Sequence, residues 1–384
     1  MQIFQRIASL VAVSMSPILT DTVHAFKDIN HDHNVIKSTI NVGVNPAGIA
    51  ITHDSKFAYV ANSNDYEIMD CHTISVIDLG SHSILKTIRD SSFNQPYRIA
   101  INKKTNLAYV TNSGGTTVTI IDTLNNSISG IIDGFDGPSS IVIAPHSSKA
   151  YVGNWGAGSP GGQGKTVSVV DLKTDSIIKV IAVPAGPVSL AMSEDEQFVY
   201  LISYGAGNPN PADGSVSIIR SSDDVVIKTI NRLSGPYEIA ISRDIAYITN
   251  FGTNNFAPFG RTVSVLNLTS KKMSKSIEVG IQPSGVAITP NKDFLYVSNY
   301  NTLYARPNFS RLSSGEGTIS VIDVRTHEVV LTIPVGASPE SVAISPDGKY
   351  ALVTHFEGNT VKIISLDPRM TTQEGCSTVI HDEN

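Results

Sequence analysis

The side chains of this chain best suited to chemistry are Arg98, Glu238 and Glu340, with Tyr97 and Tyr237 beside them. Each stands one or two residues after a proline: Pro96, Pro236 or Pro339. Two carboxylates, a guanidinium and two phenols brought together could orient a small polar ligand. They could also work on it as acid and base, because a partly desolvated carboxyl can exchange protons closer to neutral pH. At the second place after the chain's recurrent prolines, where Arg98 and Glu238 stand, the remaining residues are small: Gly48, Ser140, Ser189, Gly285 and Ser341. The same five large residues could instead form a structural ion pair, or touch internal water.

Other chemistry has little to build on. There is no G-x-S-x-G, no H-E-x-x-H and no P-loop. The run Gly156–Gly164 is glycine-rich, but it joins two strand-like segments, with no helix N-terminus to cradle a phosphate. Asp28-Ile29-Asn30-His31-Asp32-His33-Asn34 begins like a calcium loop. It has His33 where such a loop needs glycine and Thr39 where it needs an acid, so no metal site is expected. Cys71-His72 is not a haem attachment site, since residue 68 is Ile. No cofactor is expected. Cys71 and Cys376 are a candidate disulfide, permitted if the chain leaves the cytoplasm.

The elements that position these residues come from a repeat. Aligned on Pro46, Pro96, Pro138, Pro187, Pro236, Pro283 and Pro339, the chain gives one phrase seven times: GIAI, RIAI, SIVIA, SLAM, EIAI, GVAI and SVAI. A polar turn follows each, such as Ser345-Pro346-Asp347-Gly348-Lys349, and then a second run such as AYVANS or LYVSNY. Third runs such as Thr318-Ile319-Ser320-Val321-Ile322-Asp323 alternate apolar and hydroxylated residues, and a fourth run such as ILKTI closes most units. Short, β-branched runs bounded by Gly, Pro, Asn or Asp are strands, four to a unit. One such unit cannot cover both faces of its own sheet, so the units must stack around an axis as the blades of a propeller. The seventh unit lacks a fourth strand, whereas Val35–Val42 matches the fourth-strand phrase and precedes the first unit. The sequence therefore predicts an all-β, seven-bladed propeller, four antiparallel strands per blade, its last blade closed by the N-terminal strand.

The second-strand phrases Tyr59-Val60-Ala61-Asn62, Tyr109-Val110-Thr111-Asn112, Tyr151-Val152-Gly153-Asn154, Tyr247-Ile248-Thr249-Asn250 and Tyr296-Val297-Ser298-Asn299 closely resemble the YVTN β-propeller repeat family. The resemblance runs from residue 35 to 367, with departures at Leu201-Ile202-Ser203 and Val353-Thr354-His355. It implies the propeller fold. It implies less about function, since this repeat occurs in bacterial periplasmic binding propellers, surface-layer and cell-surface proteins, and lactonase-like enzymes. Periplasmic members that bind single-stranded DNA add a nucleic-acid alternative, with bases stacked on aromatic rings. The repeated asparagines are expected to cap the turn after the second strand.

Blade order places the loops from fourth to first strand and from second to third strand on one face. The second-to-third loops are long and differ among units, whereas the opposite turns are short, and long variable loops on one side are where propellers bind. These loops hold Tyr66, Trp155, Tyr204, Phe251, Phe256, Phe259, Tyr300, Tyr304, Phe309 and Phe356, rings that either form a contact surface or fold back as a plug. Arg98, Glu238 and Glu340, with Tyr97 and Tyr237, should line the channel mouth, blades 2 and 5 lying nearly opposite.

Composition agrees with a β-rich, exported protein. Charged residues make up only 16% and the net charge is −6, which excludes a generally basic nucleic-acid coat. Residues 1–25 read as a secretory leader: Arg6, an apolar run from Ile7 to Leu19 too short to span a bilayer, and a cleavage site after Ala25. Residues 26–34 then form a linker, 35–367 the propeller and 368–384 a C-terminal tail. No transmembrane segment is expected. The expectation is a periplasmic or secreted monomer, a non-enzymatic binding or scaffolding module. Its loop face would take a protein, a cell-envelope component or a small polar ligand. The alternatives are a lactonase-like hydrolase using Arg98, Glu238 and Glu340, and the single-stranded-DNA binder.

Overall fold

Seven four-stranded antiparallel sheets, plus one two-stranded hairpin, form in the computed structural model, which describes residues 33–64, 72–144, 146–156, 163–205, 214–252, 259–304 and 311–371. Blade 1 runs Pro46–Ile51, Phe57–Asn62, Thr73–Asp78 and Ser83–Arg89, innermost strand first. Blades 2 to 6 repeat that order, and all seven innermost strands begin at the aligned prolines. Blade 7 is assembled from both parts of the chain. Pro339–Ile344, Tyr350–His355 and Thr360–Ser365 are joined by Ile36–Asn41, which pairs antiparallel with the last of them, Ile40 opposite Val361. The closure expected from the sequence is present, and the outer strand of blade 7 has its partner.

The hydrophobic core is not one mass but seven seams, each packed between two neighbouring blades. The repeated tyrosines explain their own recurrence. Tyr59, Tyr109, Tyr151, Tyr200, Tyr247 and Tyr296 are at most 1% exposed. Several phenols reach the next blade: Tyr59 to the Thr123 carbonyl, Tyr151 to Asp224 Oδ1 at 2.6 Å, Tyr296 to Asn34 Oδ1 at 2.9 Å. A large ring with one polar tip fills a seam and satisfies a buried acceptor at its far edge. The last of these bonds pins the closing segment, and ordered packing extends past the strands at both ends, since Asn34 and Met370 are buried too.

The repeated asparagines do not cap a turn, as the sequence suggested. Each amide instead reaches sideways to the third strand. Nδ2 of Asn62, Asn112, Asn154, Asn250 and Asn299 donates to two hydroxyls two residues apart, such as Thr73 and Ser75, at 2.8–3.0 Å. The hydroxylated face of the third run is the acceptor, which explains that alternation. In blade 7 the same place is taken by His355, whose Nε2 lies 2.7 Å from the Val335 carbonyl.

A second repeated device sets the loop face. The residue before each of the seven prolines has positive φ, between 49° and 72°. Its carbonyl accepts, at 2.7–3.0 Å in all seven blades, the N–H of the residue that follows the repeated asparagine position (Asn62 in blade 1, Asn250 in blade 5, His355 in blade 7). The bond ties each proline loop to the root of the long loop beside it.

Candidate functional site

The ring of innermost strands brings Tyr97-Arg98 of blade 2 opposite Tyr237-Glu238 of blade 5. Arg98 Nη2 stands 3.4 Å from Glu238 Oε2, with the two side chains 11% and 18% exposed. One residue nearer the prolines, the Tyr97 and Tyr237 hydroxyls are 2.7 Å apart. Tyr237 in turn donates to Glu340 Oε1 of blade 7 at 2.7 Å. With that proton committed to a carboxylate, Tyr97 must be the donor to Tyr237. The Arg98 guanidinium also lies 5.1 Å from the Tyr97 ring centre. The five residues picked out by sequence therefore meet, bridging the channel in two layers.

Glycine at the matching places makes room for this. A Cβ on Gly48 would lie 2.3 Å from the Tyr97 carbonyl oxygen, so the blade 1 strand can approach blade 2 only without a side chain there.

The electrostatics follow from burial. Desolvation pushes the Glu238 carboxyl above its usual range, the Arg98 charge pulls it down and Glu340 adds to the rise. Burial, reinforced by Glu340, likewise raises the Tyr237 phenol well above its ordinary value. Burial opposes the charge on Arg98, but Glu238 outweighs it, and the guanidinium stays charged. A carboxyl so placed can act as a proton donor or acceptor. Beneath the tyrosine layer lies a cavity of about 140 Å³ lined by Arg98, Glu238, Ser140, Ser189, Ser341 and apolar neighbours such as Ile49 and Ile239.

The loop aromatics divide. Phe251 and Tyr300 are each 8% exposed and pack ring against ring, 6.1 Å apart, with Tyr237 5.2 Å from Phe251. Their rings plug the rim. Trp155 and Tyr204 are half-buried, 6.3 Å apart, and Tyr204 donates to the Gly252 carbonyl at 2.6 Å. Tyr304 ends the short strand Thr302–Tyr304, which pairs with Arg311–Ser314 as a hairpin that the sequence reading missed. Phe256, Tyr66, Cys71 and Cys376 lie outside the described residues, as do residues 1–32.

One relationship escaped the sequence reading. Ser63, Ser113, Trp155, Tyr204, Phe251, Tyr300 and Phe356 occupy a single position, the residue whose N–H bonds the pre-proline carbonyl. Blades 3 to 7 carry an aromatic ring there and blades 1 and 2 a serine. The signal in the sequence is the second letter of the phrases NS, NS, NW, SY, NF, NY and HF, which end the second-strand runs of blades 1 to 7.

Strand order, closure and channel define a seven-bladed β-propeller. No family model matches the chain. A stretch of 105 residues, 27% of the chain, is 28% identical to Antigen Lp49 of Leptospira interrogans. A stretch of 59 residues is 42% identical to the PE-PGRS family protein PE_PGRS18 of Mycobacterium tuberculosis. The matched stretches span only 23% and 13% of those two proteins. In three dimensions the chain is similar to a chain of Kuenenia stuttgartiensis hydrazine synthase, with a TM-score of 0.66 and 17% identity over 84% of this chain and 96% of that one. That likeness is one of fold. Among the described residues no helix is long and apolar enough to cross a membrane.

Proposed function

We propose that this protein is an exported binding module that engages a partner protein or cell-envelope component through its long-loop face. The observation that carries this is the aromatic position shared by Trp155, Tyr204, Phe251, Tyr300 and Phe356 in five consecutive blades. Phe251 and Tyr300 form a packed base, while Trp155, Tyr204 and Phe356 keep part of their surface exposed. Rigid aromatics around a supported centre are what interface anchors require. The arc stops at blades 1 and 2, which gives the face the asymmetry a specific partner needs. The leader-like residues 1–25, the likeness to YVTN repeats and the similarity to a stretch of an antigen all support display outside the cytoplasm.

The test is in-cell crosslinking with mass spectrometry on the full chain. Crosslinks should gather on the loop face, and Trp155→Ala combined with Phe356→Ala should remove them. A partner mapped to the short-turn face, or one indifferent to both substitutions, would end this reading. The lactonase-like alternative draws on the raised carboxyl of Glu238. Lactone hydrolysis by the purified chain, abolished in Glu238→Gln, would decide for it.

A further inference from the structure

The outer rim of blades 2 and 3 departs from the repeat, whatever the loop face binds. Its outer strands, Ser127–Asp133 and Ser176–Ala182, are in contact. Ile131 lies opposite Thr119, and Val180 opposite Ser168. In the other five blades that place on the outer strand is hydroxylated: Thr39, Thr87, Thr229, Ser276 and Thr332. One position earlier, Lys86, Lys179, Lys228 and Lys275 guard their sheet edges, but blade 2 has Gly130. Ile131, Ile178 and Val180 are each more than half exposed. Leu124, in the turn of blade 2 that leads into its outer strand, is 73% exposed. Gly80, Lys173 and Arg325 hold its place in other blades, each with its N–H on the aspartate two residues before. The fold therefore does not require apolar residues at these places. Singly they would be ordinary, but four on adjoining blades make a patch.

These blades are also locally basic in an acidic protein. Residues 96–182, which span both, hold seven Lys and Arg against five Asp and no Glu. The rest of the chain holds 21 Lys and Arg against 29 Asp and Glu. Lys103 and Lys173, both in turns, are exposed, and among the described residues neither pairs with a carboxylate. The nearby carboxylates serve their own turns. Asp122 accepts the Leu124 N–H at 2.8 Å and the Asn125 amide at 2.6 Å, and Asp171 accepts the Lys173 N–H at 2.8 Å. We infer that the rim of blades 2 and 3 rests on an anionic lipid surface. Leu124, Ile131, Ile178 and Val180 enter the interface, and Lys103 and Lys173 meet the headgroups. Apolar side chains flanked by lysines are what interfacial attachment requires. A second copy of the chain fits less well, because it would set one basic rim against another. The contact leaves the loop face uncovered.

Flotation of the full chain with phosphatidylcholine vesicles, with and without phosphatidylglycerol, tests this. The apolar run Ile7–Leu19 is common to every variant, so differences between variants report the rim alone. Expected is binding to the anionic vesicles that weakens with added salt, and little binding to the neutral ones. Leu124→Glu should lower the partition coefficient about tenfold, since it removes an inserted leucine and adds a repelled charge. Ile131→Thr combined with Val180→Thr restores the residue type of the other blades, so the fold is kept, and should weaken binding about tenfold as well. Lys103→Gln should weaken it about fivefold, as for one basic residue near the surface. Val329→Glu, exposed on the outer strand of blade 6, should change nothing. The inference is overturned if the anionic vesicles float without protein, or if neutral vesicles bind it equally. It is also overturned if Leu124→Glu and the double threonine variant bind like the parent, or if Val329→Glu weakens binding as much as Leu124→Glu. A dimer in sedimentation, lost in Leu124→Glu and without vesicle binding, would assign the rim to a second copy instead.

Discussion

The hydroxyls of Tyr97 and Tyr237 meet 2.7 Å apart in the channel, although 140 residues separate them in the chain. Tyr237 in turn donates a hydrogen bond to Glu340 Oε1, so three blades are joined by a directed chain of hydrogen bonds. With the Arg98–Glu238 contact beside it, such a link couples blades that share no seam, in a ring whose hydrophobic seams join only neighbours.

The two phenols should therefore differ in weight. Tyr97→Phe removes one neutral hydrogen bond and should cost about 1 kcal/mol. Tyr237→Phe removes that bond and the one to a carboxylate, and should cost about 2–4 kcal/mol. Urea unfolding of the two variants measures the difference. Equal losses would mean that the chain from Tyr97 to Glu340 is not directed as described.

Closure of the ring gives a second expectation. The Tyr296 hydroxyl donates to Asn34 Oδ1, and Asn34 N–H bonds the Ser365 carbonyl at 2.7 Å. Tyr296→Phe should cost about 1 kcal/mol overall. Amide exchange should show the loss concentrated in Ile36–Asn41, faster there than in any other outer strand. Protection unchanged in that strand would show that Asn34 does not depend on Tyr296.

The proline loops supply a third. Gly235 has φ +53° and a Cβ there would lie 2.2 Å from the Gly252 carbonyl oxygen. Gly235→Ala meets both a left-handed backbone and a backbone clash, and should cost about 2–4 kcal/mol. Ser338 holds the same place in blade 7 with φ 56° and already tolerates a side chain. Ser338→Ala should lose only the bond to Glu357 Oε2, 2.8 Å away, about 1 kcal/mol. Comparable melting temperatures for the two variants would contradict this account of the loops.

Periodicity made the fold legible, because a blade is a local unit and its four strands are written consecutively. The closing strand was legible too, since Val35–Val42 repeats a phrase missing at the other end. Residue type and place marked Arg98, Glu238 and Glu340 as unusual among small neighbours. The hydroxyl-to-hydroxyl contact of Tyr97 with Tyr237 was not legible, because side-chain reach across a channel depends on the ring's diameter. Nor was the role of the asparagines. Their amides could bond forward to a turn or sideways to a strand, and only the register against Thr73 and Ser75, and the equivalent hydroxyls elsewhere, selects the second. The burial of Phe251 and Tyr300 depends on how long loops fold back, which no repeat encodes.

Blade 7 carries a strongly pH-sensitive element. His355, 2% exposed, takes the place of the repeated asparagine. Burial, helped by the nearby Lys362 charge, pushes its imidazole down to about 4. In the unfolded chain it titrates near 6.5. Between those values the unfolded state binds more protons than the folded one, so stability is complete above about pH 6.5 and falls as pH drops toward 4. A shift of this size is worth on the order of 3 kcal/mol. Glu238, whose carboxyl is raised, works in the opposite sense, so the comparison must be between variants. His355→Asn restores an amide that can reach Thr360, opposite it in the register, and removes the titrating group. Its loss of stability between pH 6.5 and 4 should be smaller than that of the parent protein by about that amount. Parallel stability curves over this range would show that His355 is not the group responsible.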